Sequence, residues 1–591
     1  MEATRTDTKK NEIKYEKSEL ELMTTYQLRE ICRREKIMNG VIHPLDKEEL
    51  IQAIMRYMGK RQDFFICDKK KGGEERVEEF LKKTRIVIKP CKELYCQSQI
   101  LAYEGLSIEY YDGYTIPYKK ELSGTNAFLM GSDMTLCAIL NLKEHGGRQE
   151  KLYLTKAAEL ETRETQRKDY RIFCMERQNS ECMYHLYYGE QTILPEHIEV
   201  YSIPLIDFVV RKPVTLMLPM AIDFGSVNTT AGVYLDSAYF EHVGQQAAIK
   251  NCRENEINYT VFEDGAGESM LLPSVIGVLA VEEEDDKLLF GYDAIRLANA
   301  SYVDEGFCVF YDVKRWIGEY DKEEEIVDRQ GRRRLVKRAE ILRRFFLYII
   351  RKTENRFKCR ISQVHISSPV KQKHYFRRMF REILPEYMTG QETMLDEGMA
   401  VLYNTISNML EQETLEENEE YEALIIDCGG GTTDLCSYRF RIQDRRAAYK
   451  IYMETTYENG DTDFGGNNLT YRIMQILKIA LVRAKGNQNV SSVKEILEYM
   501  DTDIYRFIDS HGVKEFYQYL EQEYQKAEET LPTRFADFER YNRSEYYKVK
   551  NNFYTLFNTA EQIKKLFYGK VGALEVTVTS EQKGQRENTV L

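Results

Sequence analysis

The sequence predicts an α/β protein whose larger part is an internal duplication, preceded by a small helical module and a β-rich domain. Three observations carry that expectation. The chain has 591 residues, which at about 150 residues per domain amounts to roughly four folding units. Hydrophobic residues make up 43% and charged residues 30%, a globular balance that leaves no room for a wholly disordered or collagen-like chain. Finally, an apolar strand LMLPMAIDF runs into a polar turn GSVNTT and out into AGVYL, and ALIIDCGGGTTDLCSY repeats that plan with Asp427 falling 204 residues after Asp223 and Gly429 under Gly225. Such repetition is the mark of a duplicated unit.

Charge and cysteine usage narrow the class. A formal net charge of -13 argues against a protein that coats nucleic acid or anionic membrane over its whole surface. The N-terminus MEATRTDTKKNEIKYEK lacks the apolar stretch of a signal peptide, and no apolar run is long enough to span a bilayer. A cytoplasmic protein without membrane partners is expected. The 12 cysteines and 8 histidines form neither Cys-x-x-Cys pairs nor an HExxH helix, so reduced thiols are expected and zinc chemistry is not.

Taken in order, residues 1–17 are polar and aperiodic and read as a disordered tail. In 18–60, Leu28, Ile31 and Cys32 recur at helical spacing, and Leu50, Ile51 and Ile54 follow a turn with Gly40 and Pro44. The layout TTYQLREICRREKI then LDKEELIQAIMRYM resembles the SAP helix-extended-helix modules, which bind DNA or RNA. That resemblance makes Arg29, Arg33, Arg34, Lys36 and Lys47 within 18–58 candidates for nucleic-acid phosphates. The interleaved Glu30, Glu48 and Glu49 weaken that reading and leave a protein-docking helical pair as the alternative. Residues 61–84 read as a charged linker with a connecting helix. Residues 85–215, with short runs such as RIVIKP and TLCAILNL between turn residues, read as a β-rich domain.

The two matched loops carry the chemistry. Glycines let backbone N–H groups approach phosphate oxygens, and hydroxyls such as Ser226 and Thr432 add donors without bulk. Asp223 and Asp427, at the strand ends, are placed to hold a hydrated Mg²⁺, which needs only one or two carboxylates. No GxxxxGK[ST] string is present, so this is not a P-loop.

On these motifs, residues 216–591 resemble the actin, sugar-kinase and seventy-kilodalton heat-shock chaperone ATPases, most closely the heat-shock branch. The resemblance implies a duplicated ribonuclease-H-like (actin-like) ATPase domain that binds ATP or ADP with Mg²⁺ through Asp223 and Asp427. LLPSVIGV, with Pro273 and Ser274, looks like the strand after the first hairpin. VFYDVKRWIG looks like the segment bearing the family's catalytic lysine, here Lys314. In VHISSPVKQKHYFRRMFREI the relay proline falls on Pro369, and in LDEGMAVLYNTI the catalytic glutamate falls on Glu397. Phosphate contacts carry over to Gly225, Ser226, Val227, Asn228, Gly429, Gly430, Gly431 and Thr432, with Asp427 and Thr432 also placed among the catalytic groups and Asp434 on the closing loop. NGDTDFGGNNLTYRIMQIL puts Gly465 and Gly466 near the nucleotide. LFNTAEQIKKLFYGKVGALEVTV resembles the adenosine-contacting helix, with Glu561, Lys564 and Tyr568 as its contacts.

Three departures bear on the expected activity. The stretch between Trp316 and Ala339 is shorter than the family's subdomain, about 480–552 is a helical insertion, and the chain reaches Leu591 before the second glycine turn that encloses adenosine. The expected function is Mg²⁺-dependent ATP binding with slow hydrolysis, driving a chaperone-like or regulatory switch. A protein client or partner would engage the N-terminal domains or the helical insertion. An actin-like scaffold or filament, or a small-molecule kinase of the same superfamily, are the alternatives.

Overall fold

A computed structural model of the chain describes residues 64–567 apart from 146–149, 245–248, 265–266, 283–285, 301–307, 329–330, 388–394, 446–447, 462–463, 500–505, 507–508, 511–512 and 536–542, together with 15, 20, 23–34, 47–58, 577–582 and 585–590. The architecture is mixed α/β.

The N-terminal pair is α1 (Thr25–Arg34) and α2 (Lys47–Met58). Thr24 starts α1 by accepting from Gln27 N while Gln27 Oε1 accepts from Thr24 N at 2.8 Å, a reciprocal cap that satisfies two helix-end donors. Leu28, Ile31 and Cys32 pack against Leu50, Ile51 and Ile54. Arg33 is paired with Glu30 at 2.6 Å and Arg34 donates to Tyr15. Lys36 lies outside the described residues, and Lys47 is exposed.

A seven-stranded sheet follows, built from β1 (Arg85–Lys89), β2 (Thr115–Pro117), β3 (Thr125–Gly131), β4 (Leu136–Lys143), β5 (Lys151–Thr155), β6 (Tyr170–Met175) and β7 (His197–Leu205), in the order β1-β7-β6-β3-β4-β5-β2. Only the β1–β7 pair is parallel. Alternation across the pleat sends Leu129, Leu140 and Ile172 to one core and Phe128, Ile139 and Phe173 to another. Helices α3 (Gly73–Lys83) and α4 (Arg177–Tyr188) close the second core through Val77, Leu81, Met183 and Tyr187. The helix expected within a linker at 61–84 is therefore a packed part of this domain. Its charge pattern shows the outer face, while two apolar residues four apart do the burying.

Beyond a parallel ladder of Gln99–Tyr103 with Asp207–Arg211, the β-rich domain seats on the next lobe through polar groups. Lys358 Nζ lies 2.8 Å from Asp112 Oδ2 and donates to Ser107 O, and Asn355 Oδ1 accepts from Ser107 N.

That lobe is built on a hairpin of β8 (Met220–Phe224) and β9 (Asn228–Leu235), with β10 (Glu256–Tyr259) outside β9 and β11 (Val364–Ile366) parallel to β8. Helix α5 (Arg338–Phe357) covers one face. Met220, Ile222 and Phe224 point into it, with the Phe224 ring 6.0 and 5.0 Å from those of Phe345 and Phe346. The charged stretch after Trp316 forms a small hairpin, Glu323–Val327 with Arg333–Lys337. Helix α6 (Lys373–Ile383) follows β11.

The second lobe repeats the hairpin with β12 (Tyr421–Cys428), β13 (Thr433–Asp444) and β14 (Tyr449–Asp461), all antiparallel. Helix α7 (Glu397–Glu411) packs Leu402 and Ile406 on Tyr438 and Phe440. Within the span expected as an insertion, α9 (Val513–Glu528) packs on α8 (Gly466–Ala484) through Leu481, Leu520 and Tyr524, and α10 (Arg543–Phe567) joins the same core past that span, through Leu556, Ala560 and Ile563. Among the described residues no helix is long and apolar enough to cross a membrane.

Candidate functional site

The two loops close in the same way. Gly225 N donates to Asn228 O at 3.1 Å, and Gly429 N donates to Thr432 O at 2.9 Å. Each turn thus folds back on itself within four residues. The loops also touch one another. A methyl group on Gly430 would sit 2.4 Å from Val227 Cγ2, and one on Gly431 would sit 2.9 Å from Ser226 Oγ. Ser274 buttresses the first loop by donating to Gly225 O at 2.7 Å while sharing a hydrogen bond with Thr229.

The third glycine segment joins the second loop. Gly466 N donates to Gly429 O and Asn467 N to Gly430 O, at 2.9 and 2.7 Å. Gly465 is in extended backbone that any residue adopts, so its requirement is one of space: an added methyl would lie 2.7 Å from both Gly429 O and Gly430 O. Thr433 Oγ1 donates to Phe464 O at 2.9 Å, fixing the same junction from the strand side.

Lys314 lies on a 3-10 stretch, Val313–Glu319, and its Nζ is 3.0 Å from Glu397 Oε1 in the first turn of α7. Several contacts hold this pair in place. Asp396 caps α7 by accepting from Met399 N at 2.7 Å, and Lys373 pairs with Asp396 at 2.8 Å. Glu397 N donates to Ser368 O, immediately before Pro369. Past that proline, the Val370 N–H donates to the Asp434 carboxylate. The Pro369 segment therefore touches both the glutamate helix and the strand that follows the second glycine loop.

Carboxylates crowd the centre. Burial pushes the Glu397 carboxyl up to about 7; Lys314 opposes the rise, and the charges of Asp223 and Asp427 add to it. Asp427 is also raised, by burial first and then by Asp223, with Lys314 opposing. Burial raises Asp434 too, whose Oδ2 is buried without a hydrogen-bond partner. Asp223 accepts from Ser367 Oγ at 3.2 Å. Two strand-end carboxylates at equivalent places, the charge of Asp223 helping to raise the Asp427 carboxyl, suit a divalent cation, which relieves that repulsion. Mg²⁺ retains several waters and is held by one or two carboxylates, so Asp223 and Asp427 fit it. Among the described residues, no group of three or more His, Cys, Asp or Glu forms a metal cage. Loop N–H groups, Ser226 and Thr432 hydroxyls and Lys314 complete a donor set suited to phosphate oxygens.

Of the other predicted residues, Glu561 and Lys564 stand beside the Gly465–Gly466 segment. Lys564 Nζ donates to Thr470 Oγ1 at 2.8 Å and to Gly466 O, while Glu561 accepts from Thr470 at 2.6 Å. Their polar ends are thus tied to α8. Tyr568 lies outside the described residues. Sequence reasoning missed Asp312, which accepts from Ser226 and pairs with Arg315 at 2.6 Å. Its φ of 52° is a left-handed conformation that Asp tolerates better than most side chains. The Asp two residues before Lys314 was the available signal. It also missed Lys373 and Asp396, although the Asp before the helix opening at Glu397 was a legible cap.

No family model matches the chain, and no curated protein matches it.

Proposed function

We propose that residues 216–591 form a duplicated actin-like ATPase unit of the heat-shock chaperone type, binding Mg²⁺ with ATP or ADP and hydrolysing ATP slowly to switch the disposition of its two lobes. The observation that carries this reading is the pair of loops closed by the same N–H to O bond, one from each hairpin, beside a buried Lys314–Glu397 pair whose glutamate feels the charges of Asp223 and Asp427. The duplicated hairpins and the order of the resembling segments support it further.

In this reading the loop N–H groups, Ser226 and Thr432 bind phosphate oxygens. Lys314 holds charge on the terminal phosphate, and release from that lysine frees Glu397 to orient water or take its proton. A carboxyl poised near neutrality suits proton transfer at physiological pH. Mg²⁺, when bound by Asp223 and Asp427, supplies charge neutralisation for phosphoryl transfer. Asp434, tied to the segment after Pro369, couples the second loop to the first lobe. The helical pair at 18–58 and the helical insertion are the surfaces available to a nucleic acid or protein partner.

Calorimetry with Mg²⁺ and ATP on the whole chain tests the reading. Binding at micromolar concentration, abolished by Asp427→Ala and absent without Mg²⁺, is the expected outcome. Failure to bind nucleotide at millimolar concentration would remove the ATPase reading and leave a scaffold built on the same duplicated fold.

A further inference from the structure

The charge of this protein is unevenly distributed. The whole chain carries a formal net charge of -13, yet residues 332–383 hold 17 Lys or Arg against 3 Asp or Glu, a net charge of +14. That span runs from the small hairpin through α5 and β11 to the end of α6. Clustered cations repel one another, so their concentration on one pair of helices in an acidic protein is the footprint of an anionic ligand.

Part of this charge is neutralised within the chain. At least nine of the cations form ion pairs with its own carboxylates, among them Arg334 with Asp286, Lys358 with Asp112 and Lys373 with Asp396. Others stand on the outside of α5 and α6. The two helices pack side by side, with the Phe346 and Phe380 ring centroids 4.8 Å apart and Arg343 donating to Ile383 O. Helical spacing turns Phe376, Met379, Phe380 and Ile383 of α6 inward and leaves His374, Tyr375 and Arg378 outward. Lys337 and Lys371, immediately before the two helices, and Arg351 and Arg378, within them, are exposed. Among the described residues none of these four has a carboxylate within ion-pair distance.

The neighbouring side chains discriminate among anions. Tyr375 is 47% exposed, with the His374 ring centroid 4.5 Å from its own. An exposed aromatic among Arg and Lys offers a face on which an unpaired base can stack, which a duplex does not present and an acidic peptide does not use. Two of the four cations are arginines, whose planar fork matches phosphate oxygens. The densest acidic run, 411–422 with seven glutamates, belongs to the second lobe, where Glu422 pairs with Arg439 at 3.0 Å. A polyanion is repelled there and drawn to the opposite charge on α5 and α6.

We propose that the outer faces of α5 and α6 bind single-stranded nucleic acid, with Lys337, Arg351, Lys371 and Arg378 on its phosphates and Tyr375 against a base. The site is distinct from the helical pair at 18–58 and requires no ATP.

The test titrates the whole chain, without nucleotide, into a fluorescent oligo(dT) strand of about 20 nucleotides and reads anisotropy. The expected result is micromolar binding at about 50 mM salt, with log affinity falling against log salt at a slope of about -3, the value for four phosphate contacts on a single strand. Arg351→Glu combined with Arg378→Glu should lower affinity about tenfold or more and flatten the slope to about half. Tyr375→Ala should lower it about fivefold or more at an unchanged slope, because a stacking face is removed and no charge. These side chains are exposed, so circular dichroism of the variants should match the parent. Oligo(U) in parallel distinguishes an RNA strand from a DNA strand, and binding of either supports the proposal. No binding at about 50 mM salt with about 100 micromolar protein overturns it. So does binding that the double reversal leaves intact and Arg29→Glu with Arg33→Glu abolishes, which would assign the strand to the helical pair. Equal affinity for a duplex, or equal competition by poly-glutamate, would reassign the face to duplex or to an acidic protein and overturn it as well. Because the assay holds no ATP, its failure is distinguishable from failure of the nucleotide reading.

Discussion

Lys314 Nζ stands 3.0 Å from Glu397 Oε1 with side chains only 7% and 11% exposed, and this one contact joins the segment just before the first lobe's small hairpin to the helix that opens the second lobe. Truncating it separates binding from chemistry. Lys314→Ala is expected to keep nucleotide affinity within a few-fold and to lose turnover by about 100-fold or more, the scale of removing one preorganised charge at a developing anion. Single-turnover assays beside calorimetry measure both, and full turnover in the variant would remove the lysine from the chemistry.

The same pair gives a pH signature. The Glu397 carboxyl is raised from 4.5 to about 7, so the folded state holds its proton more tightly than the unfolded chain. That contribution is complete below the unfolded value and disappears as pH rises through about 7, a span worth on the order of 3 kcal/mol. Denaturant midpoints of the nucleotide-free protein between pH 4.5 and 8 should fall more steeply than those of Glu397→Gln. Parallel curves would rule out this origin.

Gly465→Ala is expected to lower the thermal midpoint and weaken ATP binding together, because the new methyl meets two carbonyl oxygens at 2.7 Å and backbone cannot yield as a side-chain tip can. Gly466→Ala is the control, its nearest neighbour being 3.7 Å away. Differential scanning calorimetry of both variants decides whether close approach is the requirement.

Lys564→Ala should weaken ATP about tenfold while leaving inorganic triphosphate affinity unchanged, if the helix resemblance is right in placing this side chain at adenosine. Equal losses for both ligands would show that Lys564 acts only by tying α10 to Thr470 and Gly466.

Breaking the seat of the β-rich domain tests a buried charge. Lys358→Met leaves Asp112 without its cation, and such a loss costs about 3–5 kcal/mol. Burial already raises the Asp112 carboxyl, so the variant should recover part of the loss as pH is lowered and that carboxyl takes a proton. Urea unfolding at pH 7.5 and at pH 5 reads the difference.

The loops, Lys314 and Glu397, which the structure brings near one another, could be singled out because what marks them is local: small residues, a strand-ending Asp and a helix opening all leave traces in short strings. The packing of α3 was not, since Val77 and Leu81 are two apolar residues in a charged run and only the sheet they meet reveals their purpose. Nor was the order of the seven strands, where pairing joins residues far apart and the parallel β1–β7 contact brings Arg85 beside His197. Asp312 escaped because a left-handed residue is set by the turn it must make, which composition does not disclose.

Helix α5 has one end against the lysine segment, where the Arg338 guanidinium lies 5.4 Å from the Trp316 ring centroid, and the other against the β-rich domain through Asn355 and Lys358. Its 20 residues make a rod about 30 Å long. A rod of that length is a lever arm: a tilt of about 5° about its lysine end sweeps the far end through roughly 2.6 Å, about half the pitch of one helical turn. Shifts too small to see around Lys314 would thus arrive at the β-rich domain already magnified.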